Sequence, residues 1–185
     1  KRILMSQMGS TFFPIQFDQM GAKLNLVTLG QRVVQRSSGI SVEAKLHNHP
    51  GGAYGFRLEK DGKVMVLVTD IEHGEDIDMG TVALAEDADI LIHEAQYTPD
   101  ELQARKGWGH SSYTQAIEVA RRAGVKQLVL THHDPDHDDR FLMEMEKKCL
   151  LWFMTVDCIS SITSTRILKV SCTKVSTYLS TNGAR

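Results

Sequence analysis

Apolar and polar residues alternate along several short segments in the first half of the chain, which is the pattern of half-buried β-strands. This alternation predicts strands at residues 23–29, 40–46, 54–58 and 64–68. The pair Asp61-Gly62 lies between the last two, and both residue types tolerate the positive φ of a tight hairpin turn. The first half therefore predicts antiparallel strands that include one hairpin, whereas residues 1–22 are expected to be irregular.

Farther along the chain, helical periodicity alternates with short apolar runs. The runs predict strands at residues 89–93 and 126–131. The periodicity predicts helices at residues 80–87, 112–123 and 138–148, and a further helix is predicted to begin at Thr98. Thr98 and Glu101 form a capping-box pair, with Pro99 at the first helical position. Strands that alternate with helices after a hairpin predict an α/β layered domain.

The chain has 185 residues, enough for one domain with a sizeable core. From about residue 150 the composition changes, and residues 159–181 are rich in Ser and Thr and poor in charge. We therefore predict a folded portion over residues 1–150. Residues 151–185 are predicted to be a divergent tail that forms terminal strands or is poorly ordered.

The charge of the chain is nearly balanced, with 21 basic and 23 acidic residues and a net charge of −2. That balance argues against a broad nucleic-acid-binding face, which needs clustered Lys and Arg. A small phosphate-bearing substrate remains compatible, because a metal can supply the positive charge. The three cysteines lie in the last quarter without CxxC spacing, which indicates free thiols in a reducing, cytoplasmic compartment. No apolar run is long enough to span a bilayer, so no membrane partner is expected. The short apolar run at residues 149–154 is expected to be buried core.

Three metal-ligand candidates, His49, Asp70 and His132, follow predicted strands. Imidazole and carboxylate at strand ends can hold Zn²⁺ or a similar ion, and a metal with an open position activates water for hydrolysis. Each residue also has an ordinary interpretation. The histidines can be loop residues that form hydrogen bonds with the backbone, and Asp70 can be a turn cap.

A further candidate pair is His110, which precedes a predicted helix, and Glu94, which ends a predicted strand. An imidazole at a helix N-terminus can contact a phosphate or protonate a leaving oxygen, and Glu94 can orient it. The alternative is an ordinary residue beside a capped helix. His47 is expected to lie on its strand, and the acidic run at residues 134–139 is interpreted as a solvated loop with Asp138 or Asp139 capping the next helix.

Five blocks in order resemble the metallo-β-lactamase fold, and most closely its ribonuclease Z and phosphodiesterase branch. They are NHPGGAYGFRLE (48–59), VLVTD (66–70), LIHEAQY (91–97), GWGHSS (107–112) and LVLTHHDP (128–135). The resemblance covers about residues 40–147. It implies an α/β fold, an αββα sandwich of mixed sheets flanked by helices, with two divalent metal ions, usually Zn²⁺, at one edge of the sheets.

The resemblance also implies roles for the candidate residues. His49 would bind one metal ion, Asp70 would bridge both ions, and His132 would bind the second. His110 would contact the scissile phosphate or act as a general acid, supported by Glu94. Activated water would then attack a phosphodiester, with both ions stabilising the developing charge.

The chain departs from the family in two respects. The HxHxDH motif, which supplies further ligands, is missing from the sequence, and the tail after about residue 150 does not match the family. We therefore expect residues 1–150 to be the C-terminal portion of a metallo-β-lactamase-like domain in an N-terminally truncated chain. On that interpretation the metal site is incomplete, and the chain alone is expected to be inactive or nearly so.

The short interval between His49 and Asp70 limits the class of substrate that we expect. The hairpin occupies nearly all of it, and the tRNA-gripping arm that ribonuclease Z enzymes commonly carry there does not fit. The sequence thus favours a small phosphodiester such as a cyclic nucleotide, with nucleic acid an unlikely partner. Trp108 and residues 12–14 are expected to pack in the core, with a homodimer contact or the mouth of a pocket as the alternatives. Two other functions stay open, a non-catalytic binding module and a thioester hydrolase on the same scaffold.

Overall fold

The computed structural model describes residues 2–21, 23, 34–35, 39–157 and 169–172. The chain divides into two compact units, Lys1–Gly30 and Gln31–Arg185. The strand expected at residues 23–29 lies outside the described residues, apart from residue 23. Among the described residues, no helix is both long and apolar enough to cross a membrane.

The first unit contains helix α1 (Arg2–Gln7) and a short 3₁₀ turn at Phe17–Gln19. The side chain of Gln19 caps this turn by accepting the backbone N–H of Gln16 at 3.0 Å. The expectation that residues 1–22 are irregular was therefore wrong for these two segments. Six residues are too few for a clear helical period in the sequence, which explains why α1 was missed.

The second unit is built on one seven-stranded mixed sheet, whose strands lie side by side in sequence order. The strands are β1 (Val34–Gln35), β2 (Ser41–His47), β3 (Ala53–Lys60), β4 (Lys63–Val68), β5 (Ile90–Glu94), β6 (Gln127–Thr131) and β7 (Lys169–Cys172). The pairs from β1 to β4 are antiparallel, and those from β4 to β7 are parallel. The α/β class, with a mixed sheet flanked by helices, is thus confirmed. The described residues form one such sheet.

The hairpin between β3 and β4 forms where the sequence predicts it. Asp61 (φ 51°) and Gly62 (φ 70°) both have positive φ, as a type I′ turn requires. The twist of that turn matches the twist of the strands, and Lys60 pairs with Lys63 across it. The 49–70 interval therefore contains a compact hairpin.

Four helices accompany the sheet: α2 (Met79–Leu84), α3 (Pro99–Ala104), α4 (Tyr113–Arg122) and α5 (Asp139–Asp157). The capping box predicted at Thr98 and Glu101 begins α3. The Asp138 side chain accepts the backbone N–H of Phe141 at 2.7 Å, as expected of a cap at the start of α5.

The core lies on one face of the sheet, where alternate residues of the central strands are buried. These residues are Val66, Val68, Leu91, Leu128 and Leu130. Helix α4 packs here with its buried stripe, Ala116, Ile117, Val119 and Ala120. Because burying a Val or Leu side chain contributes roughly 1.5–3 kcal/mol, this layer fixes the strand ends that carry the site.

The end of the chain differs from the sequence expectation in two ways. Helix α5 continues to Asp157, beyond the predicted end at residue 148. Leu150 and Leu151 are exposed, at 39% and 64%, although residues 149–154 were expected to be buried core. Cys149 is buried, as that expectation requires, and the side chains of residues 152–154 lie outside the described part of the chain. The boundary at residue 150 stays a prediction, and β7 adds a strand to the sheet beyond it.

Candidate metal centre

One edge of the sheet gathers the residues that follow the carboxyl ends of four strands. Strands β4, β5 and β6 are parallel, and β2 runs in the same direction because two antiparallel pairings separate it from β4. His49 follows β2, Asp70 follows β4, Glu94 ends β5 and His132 follows β6. Loops at this edge of an α/β sheet are the usual place for a functional site.

The side chains of His49, Asp70 and His110 converge at this edge. Each offers one ligand atom, and the three atoms lie within 4.8 Å of one another. His132 lies beside them, with its Nε2 3.7 Å from Asp70 Oδ1 and its ring centroid 5.2 Å from that of His110. The structure thus brings together all three ligand candidates and His110, although it places His110 rather than His132 in the tightest donor group. The individual roles of these residues stay predictions.

Two of the four residues have an unusual backbone. Asp70 (φ 55°) and His132 (φ 57°) both have a left-handed backbone, a conformation that is uncommon for residues other than Gly, although Asn, Asp and His adopt it more often than the rest. In each case the chain leaves a buried strand and turns at once. The left-handed turn directs the side chain toward the common edge instead of along the strand.

Glu94 and His110 form a hydrogen-bonded pair, with His110 Nδ1 3.2 Å from Glu94 Oε2. The Glu94 side chain is fully buried, and its Oε1 also accepts the backbone N–H of Ile71 at 2.5 Å. The hydrogen bond to Glu94 raises the pKa of His110 against the opposing effect of burial, and the charges of Glu94, Asp70 and Glu72 raise it further. The Glu94 carboxylate therefore fixes the orientation of the imidazole.

His47 and His133, the neighbours of the candidate histidines, point elsewhere. His47 ends β2, as expected, and its buried ring packs where a methyl group on Gly55 would collide with it. His133 Nδ1 is 3.1 Å from the carbonyl oxygen of Ala95. Only one member of the His132-His133 pair thus faces the site, as their adjacency predicts.

Sequence reasoning missed two residues at this edge, Glu72 and Gly109. Glu72 accepts hydrogen bonds from the loop that carries His110. Gly109 (φ 91°) packs so closely on the His49 ring that any side chain would overlap the ring. The two glycines that flank Trp108 were a usable signal for a tight backbone approach.

The donor set suits a divalent cation. Two imidazole nitrogens and a carboxylate oxygen are the ligands that Zn²⁺ and related ions bind in hydrolytic sites, where a fourth position stays open. The site also has a supporting residue outside the donor group, because the Glu94 carboxylate is hydrogen-bonded to the His110 imidazole. These residues therefore fit a divalent metal ion.

A mixed α/β sheet with a His/Asp donor cluster at its strand ends is the architecture of a metallohydrolase-type domain. The model of the "Beta-lactamase superfamily domain" family matches residues 4–133, and the chain belongs to that family. The membership agrees with the resemblance drawn from the five sequence blocks.

Curated and solved relatives agree with this assignment. The chain is 31% identical to a ribonuclease Z of Geobacillus kaustophilus, over 60% of this chain and 51% of that protein. It is 28% identical to human tRNase Z, short form, with a TM-score of 0.50 over 56% of this chain and 39% of that one. A metallo-beta-lactamase fold protein from Bacillus subtilis shares the fold, with a TM-score of 0.58, 19% identity and coverage of 78% and 50%. The chain spans about half the length, or less, of the curated relatives that it matches.

Proposed function

We propose that the protein containing this chain is a metal-dependent phosphodiesterase. The observation that carries the proposal is the convergence of His49, Asp70 and His110 within 4.8 Å, with His132 beside Asp70. A divalent cation held there supplies Lewis-acid activation of water and neutralises charge on a phosphoryl group. The relatives named ribonuclease Z and tRNase Z support a phosphodiester as the bond that is cleaved.

The residues of the chain have different proposed roles. His49, Asp70 and His132 are proposed as donors for the cation, and His110, whose ligand atom lies within 4.8 Å of those of His49 and Asp70, is proposed as a further donor or as the acid. His110, with Nδ1 held by Glu94, has Nε2 left to contact the phosphate or protonate the leaving oxygen. Because buried Glu94 also accepts the backbone N–H of Ile71, next to Asp70, one carboxylate connects His110 to the segment that carries Asp70.

RNA is the first substrate class to test. The expectation that nucleic acid is an unlikely partner conflicts with the names of the matched relatives, and it rested on the net charge and on the short interval between His49 and Asp70. Net charge describes the whole chain and does not exclude a local contact to RNA. A small phosphodiester is the second candidate, favoured by the short hairpin between His49 and Asp70.

The metal site is tested with a matched pair of variants, Asp70→Asn and Asp61→Asn. Both aspartates have a left-handed backbone, which Asn tolerates, so each change removes one charge without adding strain. We expect Asp70→Asn to weaken Zn²⁺ binding to the chain at least tenfold by calorimetry, and Asp61→Asn, at the remote hairpin turn, to leave it unchanged. Equal Zn²⁺ affinities of the two variants would contradict the proposed metal site.

The reaction is tested on the product of the complete coding sequence. We expect metal-dependent hydrolysis of bis-p-nitrophenyl phosphate that is lost in Asp70→Asn. A panel with RNA, a cyclic nucleotide and a thioester then identifies the bond that is cleaved. Hydrolysis of the thioester alone would replace the phosphodiesterase assignment, and inertness on every substrate, with or without added metal, would favour a binding module.

A further inference from the structure

Glu72 makes contacts that the proposed chemistry does not account for. Its Oε1 accepts the backbone N–H of Gly107 at 2.8 Å, and its Oε2 accepts the backbone N–H of Gly109 at 2.8 Å. Both glycines have positive φ, 86° and 91°. A single carboxylate therefore accepts hydrogen bonds from both ends of the three-residue loop that leads into His110.

The backbone of Glu72 binds a second loop. Its N–H donates to the carbonyl oxygen of Asn48 at 2.9 Å, and the Asn48 side chain donates back to the carbonyl oxygen of Glu72 at 3.0 Å. Asn48 immediately precedes His49, and Gly109 immediately precedes His110. Glu72 itself lies two residues after Asp70, so it connects the three segments that carry the donor group.

These connections restrict where the His49 ring can lie. A methyl group on Gly109 would overlap the His49 ring and Pro50, so the loop backbone rests directly on the imidazole. The His49 and His110 rings are in edge contact, with centroids 5.6 Å apart. A displacement of residues 107–109 would therefore move both imidazoles, and metal sites tolerate only small displacements of their ligands.

We propose that Glu72 is a positioning residue for the metal site, an inference that rests on the proposed function. Its carboxylate holds the 107–109 loop through two charge-assisted hydrogen bonds, which are stronger than neutral ones. The loop in turn holds His49 and His110 at the spacing that the cation requires. Glu72 touches neither the cation nor the substrate.

The test uses Glu72→Gln, with Glu75→Gln as its matched control. The glutamine side chain has one accepting oxygen, and its NH₂ group would face the second glycine N–H, so one of the two hydrogen bonds is lost. Glu75 is an exposed carboxylate in the same 71–78 segment, and its substitution removes the same charge. Zn²⁺ titration by calorimetry should give a 10- to 100-fold weaker affinity for Glu72→Gln, the usual cost of losing an outer support. The affinity of Glu75→Gln should stay within about twofold of the unsubstituted chain.

A merely structural brace would lower stability without a specific effect on the site. Leu142→Ala, a change in the buried core of α5, provides a destabilised control, measured at a temperature where every variant is folded. If Leu142→Ala weakens Zn²⁺ binding as much as Glu72→Gln does, or if Glu72→Gln binds like the unsubstituted chain, the positioning proposal fails while the metal site stands.

Amide hydrogen exchange at Gly107 and Gly109 separates this proposal from the proposed function. If the unsubstituted chain binds no Zn²⁺, the metal site fails in this chain, and exchange still tests the positioning. Faster exchange at both glycines in Glu72→Gln, together with a lost His49–His110 ring contact in nuclear Overhauser spectra, would support the proposal. Unchanged exchange would overturn it.

Discussion

Asp70 and His132 each hold a backbone conformation that costs roughly 1–2 kcal/mol for an L-residue. Residues in such conformations persist where the surrounding structure fixes them, and they concentrate at functional sites. Here the cost falls on the two candidates that directly follow buried strands. The sharp turn brings His132 Nε2 to 3.7 Å from Asp70 Oδ1.

The backbone and ligand functions of His132 can be separated by His132→Asn. Asn is enriched at left-handed positions and lacks the imidazole, so we expect the free energy of unfolding to stay within about 0.5 kcal/mol while Zn²⁺ affinity falls at least tenfold. By contrast, His132→Val should destabilise the fold by about 1–3 kcal/mol, because a β-branched side chain is strained at this φ. Urea unfolding and calorimetry measure the two quantities. Unchanged Zn²⁺ affinity in His132→Asn would remove His132 from the site.

Local sequence patterns indicated that His49, Asp70 and His132 follow strands, and the resemblance to the metallo-β-lactamase fold implied a metal site at one edge of the sheets. The structure brings the three side chains to one edge, and their roles stay predictions. Glu72 could not be found in this way. Its partners lie 35 and 37 positions away, and nothing in the adjacent sequence distinguishes it from Glu75.

At the scale of single elements, termination signals decided which boundaries were predictable. The capping box began α3, and the Asp-Gly pair produced the β3–β4 turn, because both act through local backbone chemistry. Helix α5 has no Gly or Pro near residue 148 to end it, so the helix continues to Asp157. Its actual end depends on packing, which the sequence pattern does not reveal.

The start of α4 bears on the site because His110 lies two residues before the N-cap, Ser112. The Ser112 side chain accepts the backbone N–H of Gln115, and the Gln115 side chain accepts that of Ser112 in return. Ser112→Ala removes one half of this capping box and should lower the free energy of unfolding by about 1 kcal/mol. Ser112→Thr keeps a hydroxyl acceptor and should recover most of the loss. Urea denaturation compares the variants, and equal stability of the alanine and threonine variants would show that the cap contributes nothing measurable.

At the scale of the whole molecule, the fold buries imidazoles as well as apolar side chains. His73 and His93 are stacked, with ring centroids 5.5 Å apart, and only 7% and 0% of their surfaces are exposed. His73 Nδ1 accepts the backbone N–H of Asp78 at 3.2 Å, which requires an unprotonated Nδ1. Burial lowers the pKa of His73 to about 4 and that of His93 to about 3. The folded chain therefore keeps both rings neutral well below neutral pH.

This burial makes stability depend on pH in a definite direction. In the unfolded chain both histidines take up a proton below about pH 6.5, whereas the folded chain takes it up only near pH 4 and pH 3. The unfolded state thus binds more protons, and stability falls as pH decreases through this window. Each histidine lowers the free energy of unfolding by about 0.7 kcal/mol per pH unit at pH 6.5 and by up to about 1.4 kcal/mol per pH unit at lower pH, or roughly 3 kcal/mol for the pair between pH 6.5 and 5. His47 and His133, whose pKa values burial also lowers, act in the same direction, and His110, whose pKa is raised, opposes them.

The contribution of one ring is isolated with His73→Gln. The glutamine carbonyl oxygen can accept the Asp78 N–H, and the side chain does not titrate. His93 still titrates far below this pH range in the variant, because burial is the main cause of its lowered pKa and the charge of His73 is a smaller one. Urea unfolding at about pH 6.5, 6.0, 5.5 and 5.0 should give a stability that falls less steeply for the variant, by about 1 kcal/mol per pH unit on average over this range. The variant should therefore lose stability at neutral pH through its altered packing and recover part of that difference at the acid end of the series. Parallel pH profiles for the two proteins would show that His73 titrates normally in the folded chain, contrary to its burial.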